Sequence, residues 1–212
     1  MERKKVREKL NDGIIGRDKF FNSAVLASII EIDGEYNFVL EKRSKNIRQG
    51  GEISFPGGGW EEIDKNFQET AIRETVEELG ISPKDIDVMG KLGTLIIPAG
   101  VLIEVYVGEI FCKVEDLNIS PKEVDEILII PIDHFRDNPP KLEKISIQMH
   151  PHYELDGEIV EFPAKYYNLP EKYHKPWNGR EREVYMYEYN GEVIWGITAD
   201  IIFEIINKII LK

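Results

Sequence analysis

At 212 residues the chain is long enough for one domain with a full hydrophobic core, and its 42% hydrophobic and 31% charged content is that of an ordinary globular protein. A formal net charge of −12 argues against a nucleic-acid backbone as the main partner, because such binding needs a basic face. An acidic chain that takes an anionic substrate must gather positive charge locally or recruit cations.

One cysteine, Cys112, lies in an apolar run, so no disulfide forms within the chain and a reducing cytoplasm is the expected location. Met1–Leu10 is charged throughout and lacks the apolar segment of a secretory signal. No apolar run is long enough to span a bilayer, so no membrane partner is expected. The histidines show no metal-ligand spacing; His150 and His152 stand two apart in a Pro-containing stretch.

In chain order, Glu2–Leu10 reads as a short surface helix. Phe21–Glu31 and Tyr36–Lys42 read as strands joined by the hairpin signal Asp33-Gly34. Ile53–Phe55 is a short apolar piece, stopped by Pro56 and Gly57-Gly58-Gly59. Phe67–Leu79 is helical, with Ile72, Val76 and Leu79 as a narrow apolar stripe, Gly80 placed to cap it and Ser82-Pro83 barring continuation. Ile86–Ile97 and Val101–Val114 read as strands around Pro98-Ala99-Gly100. Glu123–Ile130 is a further strand, and Pro131–Phe135 a short helix. Residues 139–183 read as a long irregular loop rich in Pro, Tyr and His. Val184–Tyr189 and Glu192–Trp195 flank the hairpin signal Asn190-Gly191, and Thr198–Ile210 closes the chain as a helix behind a core Trp195. The pattern predicts an α+β class, a mixed sheet covered by helices, in a single domain over 1–212 with an insertion at about 139–183.

Arg73-Glu74-Thr75-Val76-Glu77-Glu78-Leu79-Gly80 carries the chemistry. Glu74 and Glu78 are one helical turn apart with Glu77 beside them, so the three carboxylates are expected on one face opposite the apolar stripe. Like charges at i, i+4 cost about 0.2–0.5 kcal/mol, and anions in a last helical turn oppose the helix dipole by about 0.3–1 kcal/mol. Bound cations reverse both penalties, and hard oxygen ligands suit Mg²⁺ or Mn²⁺. The bland alternative for such a run is a solvated acidic face.

Those residues, with Ile81, resemble the core of the Nudix box, the signature of the Nudix hydrolase superfamily. The box also expects an acid separated by five residues from a preceding glycine and by seven from the arginine. Here five residues separate Gly58 from Asp64 but eight separate Asp64 from Arg73, one residue too many and with Asp in place of Glu. Upstream, Arg43-Ser44 and the run Gly51-Glu52-Ile53-Ser54-Phe55-Pro56-Gly57-Gly58 are similar to an additional motif of the coenzyme A pyrophosphatase branch, and Val193–Ala199 resembles a C-terminal segment of that branch.

The resemblance implies an α/β/α sandwich with a catalytic loop-helix, and a metal-dependent hydrolase of coenzyme A, a CoA derivative or another nucleoside diphosphate derivative. It implies that Glu74, Glu77 and Glu78, with the Gly58 carbonyl, hold Mg²⁺ or Mn²⁺, and that Arg73 orients the carboxylates. Gly57, Gly58 and Gly59 would let backbone approach the phosphates and supply positive φ. A general base outside the box is sought at Glu123, with Glu161 as the other candidate. Arg43 and Arg48 sit in the basic cluster Lys42–Arg48 and are either a phosphate clamp or a solvated hairpin end. Tyr166, Tyr167, Tyr173 and Trp177 either stack on substrate or staple their own loop. Superfamily members are commonly homodimers. Two other readings stand beside the first: an ADP-ribose or sugar-nucleotide pyrophosphatase, and a non-catalytic nucleotide sensor, which typically loses box glutamates that this chain retains.

Overall fold

A hairpin that splays open organises the first part of the chain. In the computed structural model, which describes residues 13–211, strands β1 (Phe21–Ile32) and β2 (Glu35–Arg43) pair at Ile29–Ile32 with Glu35–Phe38. Beyond that they part, and the segment Ile53–Gly59 fills the wedge. β3 (Ile53–Ser54) pairs with β2 at Lys42 and Glu41, and β4 (Gly57–Gly59) pairs with β1 at Ser23–Val25. The Leu26 amide reaches the Pro56 carbonyl at 3.0 Å and closes the wedge at its apex. The expected helix at Glu2–Leu10 lies outside the described residues.

β5 (Ile86–Ile97) and β6 (Val101–Ile110) extend the sheet on the far side of β1, β6 running parallel to β1. β7 (Val124–Pro131) pairs antiparallel with the outer edge of β2. The sheet is therefore mixed.

Side chains alternate along β2, and the alternation sorts two helices to two faces. Val39 packs with Ile30, Ile110 and Leu79 of α1 (Phe67–Leu79). Phe38, one residue earlier, points the other way, to Phe55 at 5.4 Å and to Phe135 of α2 (Ile132–Asp137) at 5.5 Å. Phe38 is fully buried, which is worth about 1.5–3 kcal/mol. One helix on each face makes an α/β/α sandwich.

α1 keeps its predicted bounds. Asn66 caps it by accepting from the Glu69 amide at 3.0 Å. Gly80 ends it at φ 64°, and a Cβ there would meet the Asn118 carbonyl oxygen at 1.9 Å. The amides of Asn118 and Ser120 then satisfy the Leu79 and Glu78 carbonyls, at 2.9 and 3.2 Å. The buried face, however, is Thr70, Ala71, Thr75, Glu78 and Leu79, with Ile72 and Val76 only half-buried. The small side chains of Ala71 and Thr75 let the helix lie close on the sheet, where Ala71 packs against Ala24 and Leu26. The three glutamates thus do not share an outward face: Glu78 points inward.

The contacts of the chain divide it into two compact units, between Asp137 and Asn138. In the second, β8 (Lys141–Met149), β11 (Trp177–Tyr189) and β12 (Glu192–Trp195) form an antiparallel sheet in the order β12-β11-β8, and β9 (His152–Leu155) with β10 (Glu158–Glu161) forms a separate hairpin. The expected loop at 139–183 is thus corrected: most of it is strand. Its hairpin turns at Asp156-Gly157, both at positive φ like Asn190-Gly191. α3 (Gly196–Ile205) continues as a π-turn over Ile206–Ile210, and Tyr185 stacks on Phe203 at 4.0 Å. Ile194 is buried and Trp195 is 44% exposed, opposite to the expected core role of Trp195, because alternation in β12 turns only one of them inward. Among the described residues no helix is long and apolar enough to cross a membrane.

Candidate active site

The splayed hairpin brings β4 alongside α1. The Gly57 amide donates to Glu78 Oε2 at 2.9 Å. None of the three glycines has a positive φ, so the sequence expectation on that point is corrected. Their role is closeness. A Cβ on Gly57 would lie 2.5 Å from the Ala24 carbonyl oxygen, and one on Gly58 2.4 Å from the Glu74 carboxyl carbon.

Arg73 holds the carboxylate face in order. Its guanidinium makes a two-ended grip on Asp64, Nε to Oδ1 and Nη2 to Oδ2, both at 3.0 Å. It also donates to Glu74 Oε1 at 2.7 Å, Glu77 Oε2 at 3.3 Å and the Gly59 carbonyl at 2.9 Å. Asp64 further accepts from Thr70 Oγ1 at 2.9 Å and the Glu61 amide at 3.0 Å, and Arg73 holds its carboxyl down at about 2. The displaced box acid therefore anchors the arginine.

Glu78 is 4% exposed, and burial, with Glu41 and Glu74 nearby, pushes its carboxyl up to about 9. Burial likewise raises Glu74, which Arg73 opposes. Glu77 is more than half exposed.

Glu41 was not anticipated from sequence. It follows Val39 by two positions on β2, so it points to the α1 side, where it is fully buried beside Glu78. Burial pushes its carboxyl up to about 7, with Arg43 opposing. The available signal was strand alternation: in Phe38–Arg43 the one charged residue on the Val39 face ahead of the basic cluster is Glu41.

Arg43 Nη1 lies 3.5 Å from Glu41 Oε1 and 3.9 Å from Glu78 Oε1, and its Nε donates to the Arg48 carbonyl at 3.4 Å. Arg43 is thus at the carboxylates, whereas Arg48 contributes its backbone and keeps an exposed side chain. Glu123 comes to the same place. The Ser44 amide donates to its carbonyl at 2.8 Å, and its charge raises the carboxyls of both Glu41 and Glu74. Glu161 belongs to the second unit, exposed on β10. Tyr166 packs edge-on to Tyr167 and Tyr173 edge-on to Trp177, so these aromatics contact each other.

The donor set fits a hard divalent cation. It is acidic, oxygen-only and short of positive charge: Glu41 Oε2 is buried with no hydrogen-bond partner. Among the described residues no three acidic or histidine side chains are already drawn into a coordination shell. Arg73 instead occupies the Glu74 and Glu77 oxygens that face it.

A model of the NUDIX domain family matches residues 21–153, well over half of the chain. The chain belongs to the Nudix family. Its relatives are Nudix hydrolases, and this chain is one as well. The uncharacterised Nudix hydrolase NudL of Photorhabdus laumondii is 27% identical over 189 residues, covering 89% of this chain and 84% of its own. Nudix hydrolase 3 of Caenorhabditis elegans is 35% identical over 122 residues, 55% of this chain and 50% of that protein. The human mitochondrial coenzyme A diphosphatase NUDT8 is 27% identical over 181 residues, 84% of this chain and 65% of its own length. In Nudix terms, the loop-helix is Gly57–Gly80, with β4 and α1 as its two ordered parts.

Proposed function

We propose that this Nudix hydrolase cleaves the diphosphate linkage of coenzyme A or a CoA derivative, with Mg²⁺ or Mn²⁺ held by Glu74, Glu77, Glu78 and the Gly58 carbonyl. The observation that carries the reading is the convergence of β4 backbone, the α1 carboxylates and Arg43 on one place. The CoA assignment is supported by the Arg43-Ser44 and Phe55-Pro56-Gly57-Gly58 segments and by the similarity to coenzyme A diphosphatases.

Bound divalent metal supplies charge neutralisation for the diphosphate and acidifies the attacking water. The chain's residues do the rest. Arg73, anchored by Asp64, keeps Glu74 and Glu77 oriented, so little is spent on ordering them when substrate arrives. The Gly57 amide fixes the rotamer of Glu78. Gly57–Gly59 let main chain approach the phosphate oxygens without side-chain interference. Arg43, on the site edge, turns its fork to the diphosphate. Glu123 accepts the proton of the attacking water, its charge already felt by Glu41 and Glu74.

A substrate panel tests this: CoA, ADP-ribose, NADH, diadenosine polyphosphates and nucleoside triphosphates, each with Mg²⁺ and with Mn²⁺. CoA is expected to have the highest kcat/KM, yielding two phosphorylated products cut between the two phosphorus atoms. Preference for ADP-ribose or a triphosphate would retain the hydrolase and overturn the CoA assignment.

A further inference from the structure

We propose that Glu41 is a further metal-site carboxylate, holding a divalent cation jointly with Glu78; this rests on the metal-dependent reading above and deepens it. Both protein donors to Glu41 go to the same atom: Arg43 Nη1 stands 3.5 Å and Ser54 Oγ 3.3 Å from Oε1. Oε2 has no donor at all, and it is buried, so bulk water does not serve it. Leaving such an oxygen unsatisfied carries the full desolvation penalty of a buried polar group, larger when it is charged.

Glu41 has a second carboxylate, Glu78, as its neighbour. The Glu41 and Glu78 carboxyl groups stand within hydrogen-bonding reach of one another. Two carboxylates that face each other in a buried niche require something positive between them, a proton or a metal ion. Arg43 does not meet the need. Its single charge is shared between Glu41 and Glu78, at 3.5 and 3.9 Å, so it cannot balance both carboxylates once they are ionised. The remaining walls are oxygen-rich: the Ser54 hydroxyl, and Glu74, whose charge acts on Glu78. An all-oxygen, net-negative niche selects a hard divalent cation over a soft one. An apolar or hydroxyl side chain at position 41 would fill the strand position at no electrostatic cost, so the buried carboxylate is explained by the cation it takes.

The test is a Mn²⁺ titration, followed by electron paramagnetic resonance, on the wild-type chain and on Glu41→Gln and Glu78→Gln, without substrate. Glu41→Gln keeps the volume and removes the charge. Binding at least about 10-fold weaker than wild type is expected, the scale of losing a ligand or its supporting partner. The rise in Tm on adding Mn²⁺ should shrink with it. Glu41→Thr, suited to a strand, provides a second charge-free variant if the first does not fold. Mn²⁺ affinity within about twofold of wild type in a folded Glu41 variant, with Glu78→Gln weakened, overturns the role of Glu41 and leaves the proposed hydrolysis standing. Wild-type Mn²⁺ affinity in Glu78→Gln too overturns the metal site as a whole.

Discussion

Arg73 grips Asp64 from both ends of its guanidinium, Nε to Oδ1 and Nη2 to Oδ2, each at 3.0 Å. Asp64 is the residue by which the acidic signature departs from its family pattern, displaced by one position and shortened by one methylene. The grip explains why the change is tolerated. A short carboxylate one step along the loop still reaches the arginine, and the arginine still reaches Glu74 and Glu77.

Asp64→Asn should therefore lower stability by about 1–3 kcal/mol, since it leaves the half-buried Arg73 guanidinium without its main counter-charge. The pH sign follows from the carboxyl being held down at about 2 against an ordinary 3.8. Its contribution is fully present above pH 3.8 and fades as the pH falls toward about 2. Urea unfolding of the two proteins should show a constant gap above about pH 5 that narrows below the ordinary carboxyl range. A gap that is small and independent of pH would show that Arg73 is held by its other partners.

Glu78→Gln should fold and lose about a thousandfold or more in turnover, because it removes charge from the centre of the donor set. The amide oxygen can still accept from the Gly57 N–H, so the β4–α1 junction survives. Metal-free stability near neutral pH should rise, since a buried carboxyl pushed up to about 9 must take up a proton on folding and an amide need not. Steady-state kinetics and thermal melts with chelator check the two halves separately.

Metal removal should expose a pH dependence that runs opposite to that of Asp64. Glu41 and Glu78 sit at about 7 and about 9, both raised from 4.5. The folded state binds more protons than the unfolded one in that range, so metal-free stability falls as the pH rises from 4.5 through 7 toward 9. Saturating Mg²⁺ or Mn²⁺ should cancel most of the decline, because the cation takes the place of the proton. Melting curves at about pH 6 and about pH 8.5, with chelator and with metal, give four values. Equal metal-induced shifts at both pH values would contradict the coupling.

The two arginines of the basic cluster should separate. Arg43→Ala should lower kcat/KM by about 1.5–3 kcal/mol and also reduce metal-free stability, as Glu41 and Glu78 lose their shared cation. Arg48→Ala should affect both little, since its exposed side chain leaves only its carbonyl in the Arg43 contact. The reverse order would mean that Arg43 is purely structural and Arg48 reaches over to the phosphates.

The sequence by itself determined the elements whose signals are local. Asn66, Gly80 and Ser82-Pro83 bound α1 because capping and chain-breaking are decided within a few residues. Asp33-Gly34 and Asn190-Gly191 marked hairpins for the same reason, and Asp156-Gly157 carried the identical signal inside a stretch whose Pro, Tyr and His content reads as irregular. The alternation Ile145-Ser146-Ile147-Gln148-Met149 lies in the segment read as an irregular loop, yet it is part of β8, whose partner β11 pairs Met149 with Trp177 and Lys141 with Met186 across the whole intervening segment. Such pairing is non-local, and β8 stays largely exposed, so no strong burial pattern announces it. Only the tertiary structure decided which charges meet. Glu74, Glu77 and Glu78 are neighbours on one helix and were legible as a group. Glu41 and Asp64 lie far from each other in sequence, and their partners follow from how the β1–β2 hairpin opens around Ile53–Gly59 and how α1 lies across it. Burial then divided the carboxylates, raising Glu41, Glu74 and Glu78 while Arg73 holds Asp64 down, because desolvation and fixed counter-charges depend on three-dimensional surroundings that spacing along a chain does not specify.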